Sequence, residues 1–361
     1  MAQQEQDITA YFNFIFRLGL RQIVAFSLNN PSLAWTAARL YVAYRNGERK
    51  RKVYLRKGIQ IPPMIIFSVT NACNLDCAGC YAKVLHQSKQ QELTPLQFKQ
   101  TLQQAKDVGV SVILLAGGEP LMRDGLLETL REFPSMIFLL FTNGTLLDET
   151  AVQQLKDQRN ILPVVSIEGD QQDTDLRRGG GVYERASQVF TALRENKILF
   201  GTSITQTSRN FDLVNDEDYL KEMMDRGVKI FFFINYLPMD PNSAHLALNP
   251  QQVLEHLHIL EELRVKYPAL FLAFPGGEVE LGGCIAGGKG LVHINPQGDV
   301  QPCPFSPFSD ANLTQVGLLE AFRSKHLEVI RCSGDLLDES DGFCALWKNQ
   351  EWVASLYKKE I

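Results

Sequence analysis

Six apolar, β-rich runs punctuate the middle of the chain: MIIFSV (64–69), SVILLA (111–116), MIFLLF (136–141), LPVVSI (162–167), ILFGTSIT (198–205) and KIFFFINY (229–236). Between them lie amphipathic stretches, among them TPLQFKQTLQQAKDVG (94–109), DETAVQQLKDQ (148–158), YERASQVFTALREN (183–196) and DEDYLKEMMDRG (216–227). Strand and helix in alternation predict parallel strands joined by right-handed crossovers. Six units fall short of the complete eightfold barrel, so the expected fold is α/β, a partial (βα)6 TIM-like barrel that stays open.

Both flanks depart from this rhythm. Upstream, ITAYFNFIFRLGLRQIVAF (8–26) is apolar but interrupted by Arg17, Arg21 and Gln22. A membrane span needs about twenty predominantly apolar residues, and two arginines near the centre argue against one. PSLAWTAARLYVAY (31–44) reads as a helix with Pro31 near its start and Gly47 just past its end, and a basic run, RNGERKRKVYLRKG (45–58), follows. These segments can pack across the barrel with a solvated basic loop beyond, which is the favoured reading, or lie on an anionic membrane surface. Downstream, the rhythm stops near residue 238. A helix at NPQQVLEHLHILEELRVKY (249–267) precedes Gly- and Pro-rich sequence with the last four cysteines. The expected organisation is an N-terminal helical extension with a basic linker (1–60), the barrel (61–240), and a helix plus cysteine-bearing domain (241–361).

Composition narrows the setting. With 45% hydrophobic residues the chain is folded rather than disordered, and a net charge of −5 gives no reason to expect nucleic acid as a partner. MAQQEQD carries no basic n-region and no small-residue cleavage site follows, so a cytoplasmic protein with reduced thiols is expected.

Residues 73–81, CNLDCAGCY, place Cys73, Cys77 and Cys80 within eight positions. An odd group in a chain of seven cysteines is not a disulfide framework. The group directly follows the first predicted strand, at the carboxyl rim where βα barrels collect active-site residues. Thiolates select zinc, cuprous copper or iron–sulfur clusters. A structural zinc site closes with four ligands, and here only His86, some way off in sequence, could join the three. Three thiolates on a cubane of four irons would leave one iron to bind something else.

With CxxxCxxC at the first strand, later strand ends carry Gly117-Gly118-Glu119-Pro120, Thr142-Asn143-Gly144-Thr145 and Ser166-Ile167-Glu168-Gly169. In this order the motifs resemble those of the radical SAM enzymes. The resemblance implies a [4Fe–4S] cluster on the three cysteines, with S-adenosylmethionine chelating the fourth iron and yielding a 5′-deoxyadenosyl radical on reduction. It also implies that Glu119 and the strand edge receive the methionine amino group, and that Thr142, Asn143, Ser166 and Glu168 lie near the ribose and carboxylate. Asp is commoner in the family where Glu168 stands. Arg177 or Arg178 would pair with the SAM carboxylate, and Tyr81 would shield the cluster or touch the adenine.

The stretch CIAGGKGLVHINPQGDVQPCPF (284–305) resembles the SPASM and twitch modules of the same superfamily, in which a cysteine opens a hairpin and another closes it. The resemblance implies an auxiliary [4Fe–4S] cluster on Cys284, Cys303 and Cys344. Cys332 is either its fourth ligand or a buried thiol. Such clusters carry electrons away from a substrate radical or anchor the substrate, which is then a peptide or small metabolite, and a flavodoxin or ferredoxin would be the reductant. Pro304, where sulfatase maturases have an acid, disfavours formylglycine formation. Asn235 and Tyr236, at the sixth strand's end, are candidates for substrate contact. His256 and His258 lie two apart on a helix and so on different faces, which argues against a joint metal site. His293, on the hairpin, would ligate, donate a proton or simply pack. Two alternatives stand beside the main expectation: a peripheral membrane enzyme acting on a lipid or quinone-like substrate, and a non-catalytic iron–sulfur or zinc scaffold.

Overall fold

The computed structural model describes residues 31–85, 88, 90–275 and 283–358, and the side chains of 31–37 are not among the parts described. The apolar segment 8–26 and His86 lie outside these residues. Among the described residues, no helix is long and apolar enough to cross a membrane.

Seven parallel strands form the sheet: β1 (Met64–Ser68), β2 (Val112–Ala116), β3 (Ile137–Thr142), β4 (Ile161–Ile167), β5 (Gly201–Gln206), β6 (Ile230–Asn235) and β7 (Leu270–Phe274). They lie in the order β7-β6-β5-β4-β3-β2-β1, and the other edge of β1 is taken by β8 (Leu291–Ile294), also parallel, followed by β9 (Val300–Gln301), antiparallel to β8. Ser68 lies opposite Ala116, and Ser166 opposite Ser203, so the carboxyl ends that carry the motifs finish near one another.

Side chains alternate between the two faces with the period of a strand. Ile65, Phe67, Ile113, Leu115, Phe138, Leu140, Phe231 and Phe233 face the covering helices and form the main core. Met64, Ile66, Ser68, Leu114, Phe141, Phe232, Ile234 and Phe274 line a cavity on the other face. Burial on both faces explains why the strands read as near-continuous apolar runs rather than alternating ones. The helices between them start on signals in the sequence: Thr94 and Asn249 each form a capping box with the glutamine three residues on, with proline at the first helical position.

Two features exceed the pattern. The helix Pro250–Lys266 does not end the barrel but leads into β7, a seventh strand paired along β6. The hairpin β8–β9, expected within 284–305, also extends the barrel sheet, because Met64 to Phe67 pair with Leu291 to Ile294.

The N-terminal helix differs more. It runs unbroken over Pro31–Leu55, through Gly47 and most of the basic run. Gly47 is an interior contact rather than a stop, since a Cβ there would lie 2.4 Å from Ser111 Oγ and 2.8 Å from the Gly109 carbonyl. One turn on, the buried Arg51 donates to Ser111 Oγ (2.9 Å) and to the Gly109 carbonyl. The basic run is therefore helical and partly a packing element, not the solvated loop that its charge suggests.

Candidate active site

A cavity of about 640 Å³ opens at the carboxyl ends of the strands, and Cys73, Cys77, Cys80, Cys284, Cys303 and Cys344 all line it. The first three sit on the loop after β1, which is clamped from several sides. Gly118 N–H donates to the Thr70 carbonyl and Glu119 N–H to the Ala72 carbonyl, both at 2.8 Å. Asn143 Nδ2 donates to Asn74 Oδ1 (2.9 Å), and Asn74 in turn donates to Thr145 Oγ1 (2.7 Å). Ala78 N–H donates to the Arg177 carbonyl (2.8 Å), and Arg177 Nε donates back to the Ala78 carbonyl (3.2 Å).

The glycines have a local reason. A Cβ on Gly118 would fall 2.1 Å from the Ala72 carbonyl oxygen, and one on Gly117 2.4 Å from that of Thr70. They are small because the cysteine loop's own backbone crosses them. Gly118→Ala is expected to overpack this crossing, lower stability by about 1–3 kcal/mol and strip iron from the first thiol set. Guanidinium unfolding and iron analysis would check it, and wild-type values for both would count against the crossing as the constraint.

Two buried carboxylates stand at the next strand ends. Glu119 accepts from Thr142 Oγ1 (2.7 Å), Asn143 N–H (2.8 Å) and Leu121 N–H (3.2 Å), the last at the short turn that Pro120 opens. Burial pushes its carboxyl up, and these hydrogen bonds work against the shift. Glu168 accepts from Arg177 Nη1 (3.1 Å), Arg178 Nε (2.8 Å) and the Thr205 N–H (2.9 Å). Both arginines expected beside the SAM carboxylate thus already engage Glu168. Ser166 shares a hydrogen bond with Ser203 (2.9 Å) on the cavity floor.

The second thiol set is more enclosed. Cys284, Cys303 and Cys344 are buried in one apolar cluster, and burial, then Glu339, Cys344 and Cys303, push the Cys284 thiol well up. Cys332 is not brought to them: it caps the helix Lys325–Arg331, exposed and away from the cavity lining. Between the two sets lies Tyr81, its ring 4.9 Å from that of Phe305, and its hydroxyl is pushed up by burial and by Cys80 and Cys303.

Comparison with known proteins fits this geometry. The Radical SAM superfamily signature matches residues 67–225, the span from β1 through the helix before β6. Residues 67–225 form a radical SAM domain. The chain is an enzyme, and the cofactors of the radical SAM family are a [4Fe–4S] cluster and S-adenosylmethionine, so the scaffold alternative is set aside. It is 24% identical over 311 residues to the AdoMet-dependent heme synthase of Methanosarcina barkeri, covering 79% of this chain and 88% of that one. It is 26% identical over 275 residues to the pre-heme d1 synthase of Dinoroseobacter shibae, covering 66% and 68%. Streptococcus suis SuiB shares the fold at a TM-score of 0.65 and 18% identity, over 84% of this chain and 73% of that one.

The donor set of this radical SAM chain suits such clusters. Soft thiolates dominate both groups, and among the described residues no three His, Cys, Asp or Glu side chains converge closely enough for a single metal ion. The histidines stand apart from this. His293 is fully buried between Ser68 Oγ (2.8 Å) and Gln301 Oε1 (2.7 Å). His256 is buried against Asn215 and Gln206 and pushed down to about 3 by burial, while His258 pairs with Glu262 at the surface. Asn235 and Tyr236 do line the cavity; Tyr236 donates to Ser243 Oγ (2.9 Å), and Asn235 Oδ1 is buried without a hydrogen-bond partner. Sequence reasoning missed Glu339, Thr205 and Asn74, none of which carries a motif signal of its own.

Proposed function

We propose that this enzyme oxidises a substrate that inserts one apolar substituent between the two thiol sets, with an auxiliary [4Fe–4S] cluster on the second. The observation that carries this is the single cavity shared by six cysteines and walled by Phe141, Phe232, Ile234 and Phe274. Cys73, Cys77 and Cys80 would hold the first cluster, which with S-adenosylmethionine would supply hydrogen-atom abstraction by a 5′-deoxyadenosyl radical. Cys284, Cys303 and Cys344 would hold the second cluster, which would supply an acceptor for the electron that oxidation of the substrate releases.

The chain's own groups do the positioning. Glu119 uses three of about four carboxylate lone-pair sites on the protein and keeps one for the methionine ammonium. Arg177 and Arg178 each have N–H donors beyond those that meet Glu168 and Ala78, enough for the methionine carboxylate. Tyr81 and Phe305 separate the two thiol sets, and the aromatic wall excludes water from the reacting carbon.

Size limits the substrate. A cavity of about 640 Å³ lies within the roughly 300–1,000 Å³ that ordinarily takes one drug-sized ligand. S-Adenosylmethionine and the clusters would share this space, which would leave room for only the reacting end of the substrate and keep its bulk at the mouth. A substituent of a tetrapyrrole, the substrate type that the names heme synthase and pre-heme d1 synthase suggest, meets this condition, as does a peptide side chain. Asn235 Oδ1 is the polar contact available to it.

The test is anaerobic incubation of the reduced, cluster-loaded enzyme with S-adenosylmethionine and mass spectrometry of the products. 5′-Deoxyadenosine is expected to accumulate with reductant and not without it. Loaded, reduced enzyme that forms none would overturn the proposal.

A further inference from the structure

We propose that the carboxylate of Glu339 is the fourth protein ligand of the auxiliary cluster, beside Cys284, Cys303 and Cys344. This rests on the auxiliary cluster proposed above and goes beyond it in naming what closes the site. Three thiolates leave one iron of a cubane without a protein ligand, and Cys332, the remaining thiol, is exposed and outside the cavity.

Glu339 lines the same cavity as the three thiols and is only 1% exposed. Its neighbourhood is built. Gly283 lies so close to the 337–338 backbone that a Cβ would meet the Leu337 carbonyl at 2.1 Å, and Cys284 N–H donates to that same carbonyl at 2.8 Å. The segment bearing Glu339 is thereby locked against Cys284. On the other side, Glu339 Oε1 accepts from Ala345 N–H (2.9 Å), which ties the carboxylate to the residue after Cys344.

Only one of its oxygens is accounted for. Oε2 is buried with no nitrogen or oxygen donor against it, among the described residues no ion pair includes Glu339, and the group beside the carboxylate is the Cys284 thiol, a donor that is lost once that sulfur binds iron as a thiolate. A buried carboxylate oxygen with no ion-pair partner and only a thiol beside it is costly, and proteins keep one where a cation or metal meets it. Neither nearby cation forms an ion pair with it: Lys348 pairs with Asp341 (2.7 Å), and the buried Lys289 donates to the Cys284 carbonyl (3.2 Å). Iron would satisfy Oε2, and a carboxylate is a competent oxygen donor to it alongside softer thiolates.

The experiment uses the full-length, reconstituted protein in a Cys73→Ala, Cys77→Ala, Cys80→Ala background, so that only the auxiliary cluster contributes. About four irons per chain are expected there, with an EPR spectrum of the reduced cluster that cyanide does not alter. Adding Glu339→Gln, which keeps the acceptor for Ala345 N–H, should open one iron, so that cyanide now shifts the spectrum. Glu339→Cys should restore cyanide resistance, and Cys332→Ala should leave the spectrum unchanged. If Glu339→Gln retains the iron and resists cyanide, or if Cys332→Ala opens the site instead, the assignment is wrong. Iron near zero in the background variant would overturn both this assignment and the auxiliary cluster, which separates the two failures.

Discussion

Replacing Cys73, Cys77 and Cys80 together by alanine should abolish 5′-deoxyadenosine formation and lower bound iron from about eight to about four per chain. The two thiol sets lie on different parts of the fold, the first on the loop after β1 and the second on the segments around β8, β9 and the helix Ala345–Lys348. The loop is held by Thr70, Ala72, Asn74 and Ala78 rather than by the cysteine side chains, so its backbone keeps its anchors when the thiols are removed. Cys284, Cys303 and Cys344 keep their own buried cluster. Mass spectrometry of the nucleoside products measures the first effect, and iron and acid-labile sulfide after anaerobic reconstitution the second. Four irons falling to none would mean that the second set holds no stable cluster. Retained nucleoside formation would remove the first set from the chemistry altogether.

What could be read along the chain and what could not divide on a physical line. Motifs at strand ends are contiguous in sequence, so Cys73 to Tyr81, Gly117 to Pro120 and Thr142 to Thr145 announced both the rim and its order. The six-strand alternation was legible for the same reason, because each unit closes locally on its neighbour. β7 escaped because LFLAF is short and lies between a long helix and a Gly-Pro-rich stretch, and only its pairing with β6 makes it part of the barrel. The parallel pairing of β8 with β1 spans more than two hundred residues and leaves no local trace.

Charge was misleading in a similar way. Arg51 sits in a run whose composition suggests a solvated loop, yet tertiary contact with Gly109 and Ser111 buries it. Gly117 and Gly118 were legible as part of a motif at a strand end, but that the cysteine loop's backbone crosses them was not. Glu339 lies in an acidic stretch, DESDG, where nothing distinguishes it from solvated neighbours. Its burial comes only from the docking of Gly283 and Cys284 against Leu337.

Glu168→Ala should destabilise the protein by about 3–5 kcal/mol, the usual effect of removing one partner from a buried ion pair. The carboxylate is 2% exposed, and the arginine side chains it meets are 18% and 12% exposed, so solvent cannot replace it. Its loss leaves two guanidiniums confined at the floor of one cavity and the Thr205 N–H without its acceptor. The damage should reach the cluster loop, since Arg177 is bonded to Ala78 through both its backbone carbonyl and its Nε. Iron in the first set is therefore expected to fall while the second set keeps its share. Glu168→Asp retains the charge on a side chain one methylene shorter, which cannot meet Thr205 and both arginines at once, so its stability should lie between wild type and Glu168→Ala. Guanidinium unfolding of the anaerobic holoenzyme, with iron analysis of each variant, measures both effects. A Glu168→Ala protein as stable as wild type would mean that the arginines find other partners, and that Glu168 does not organise this end of the site.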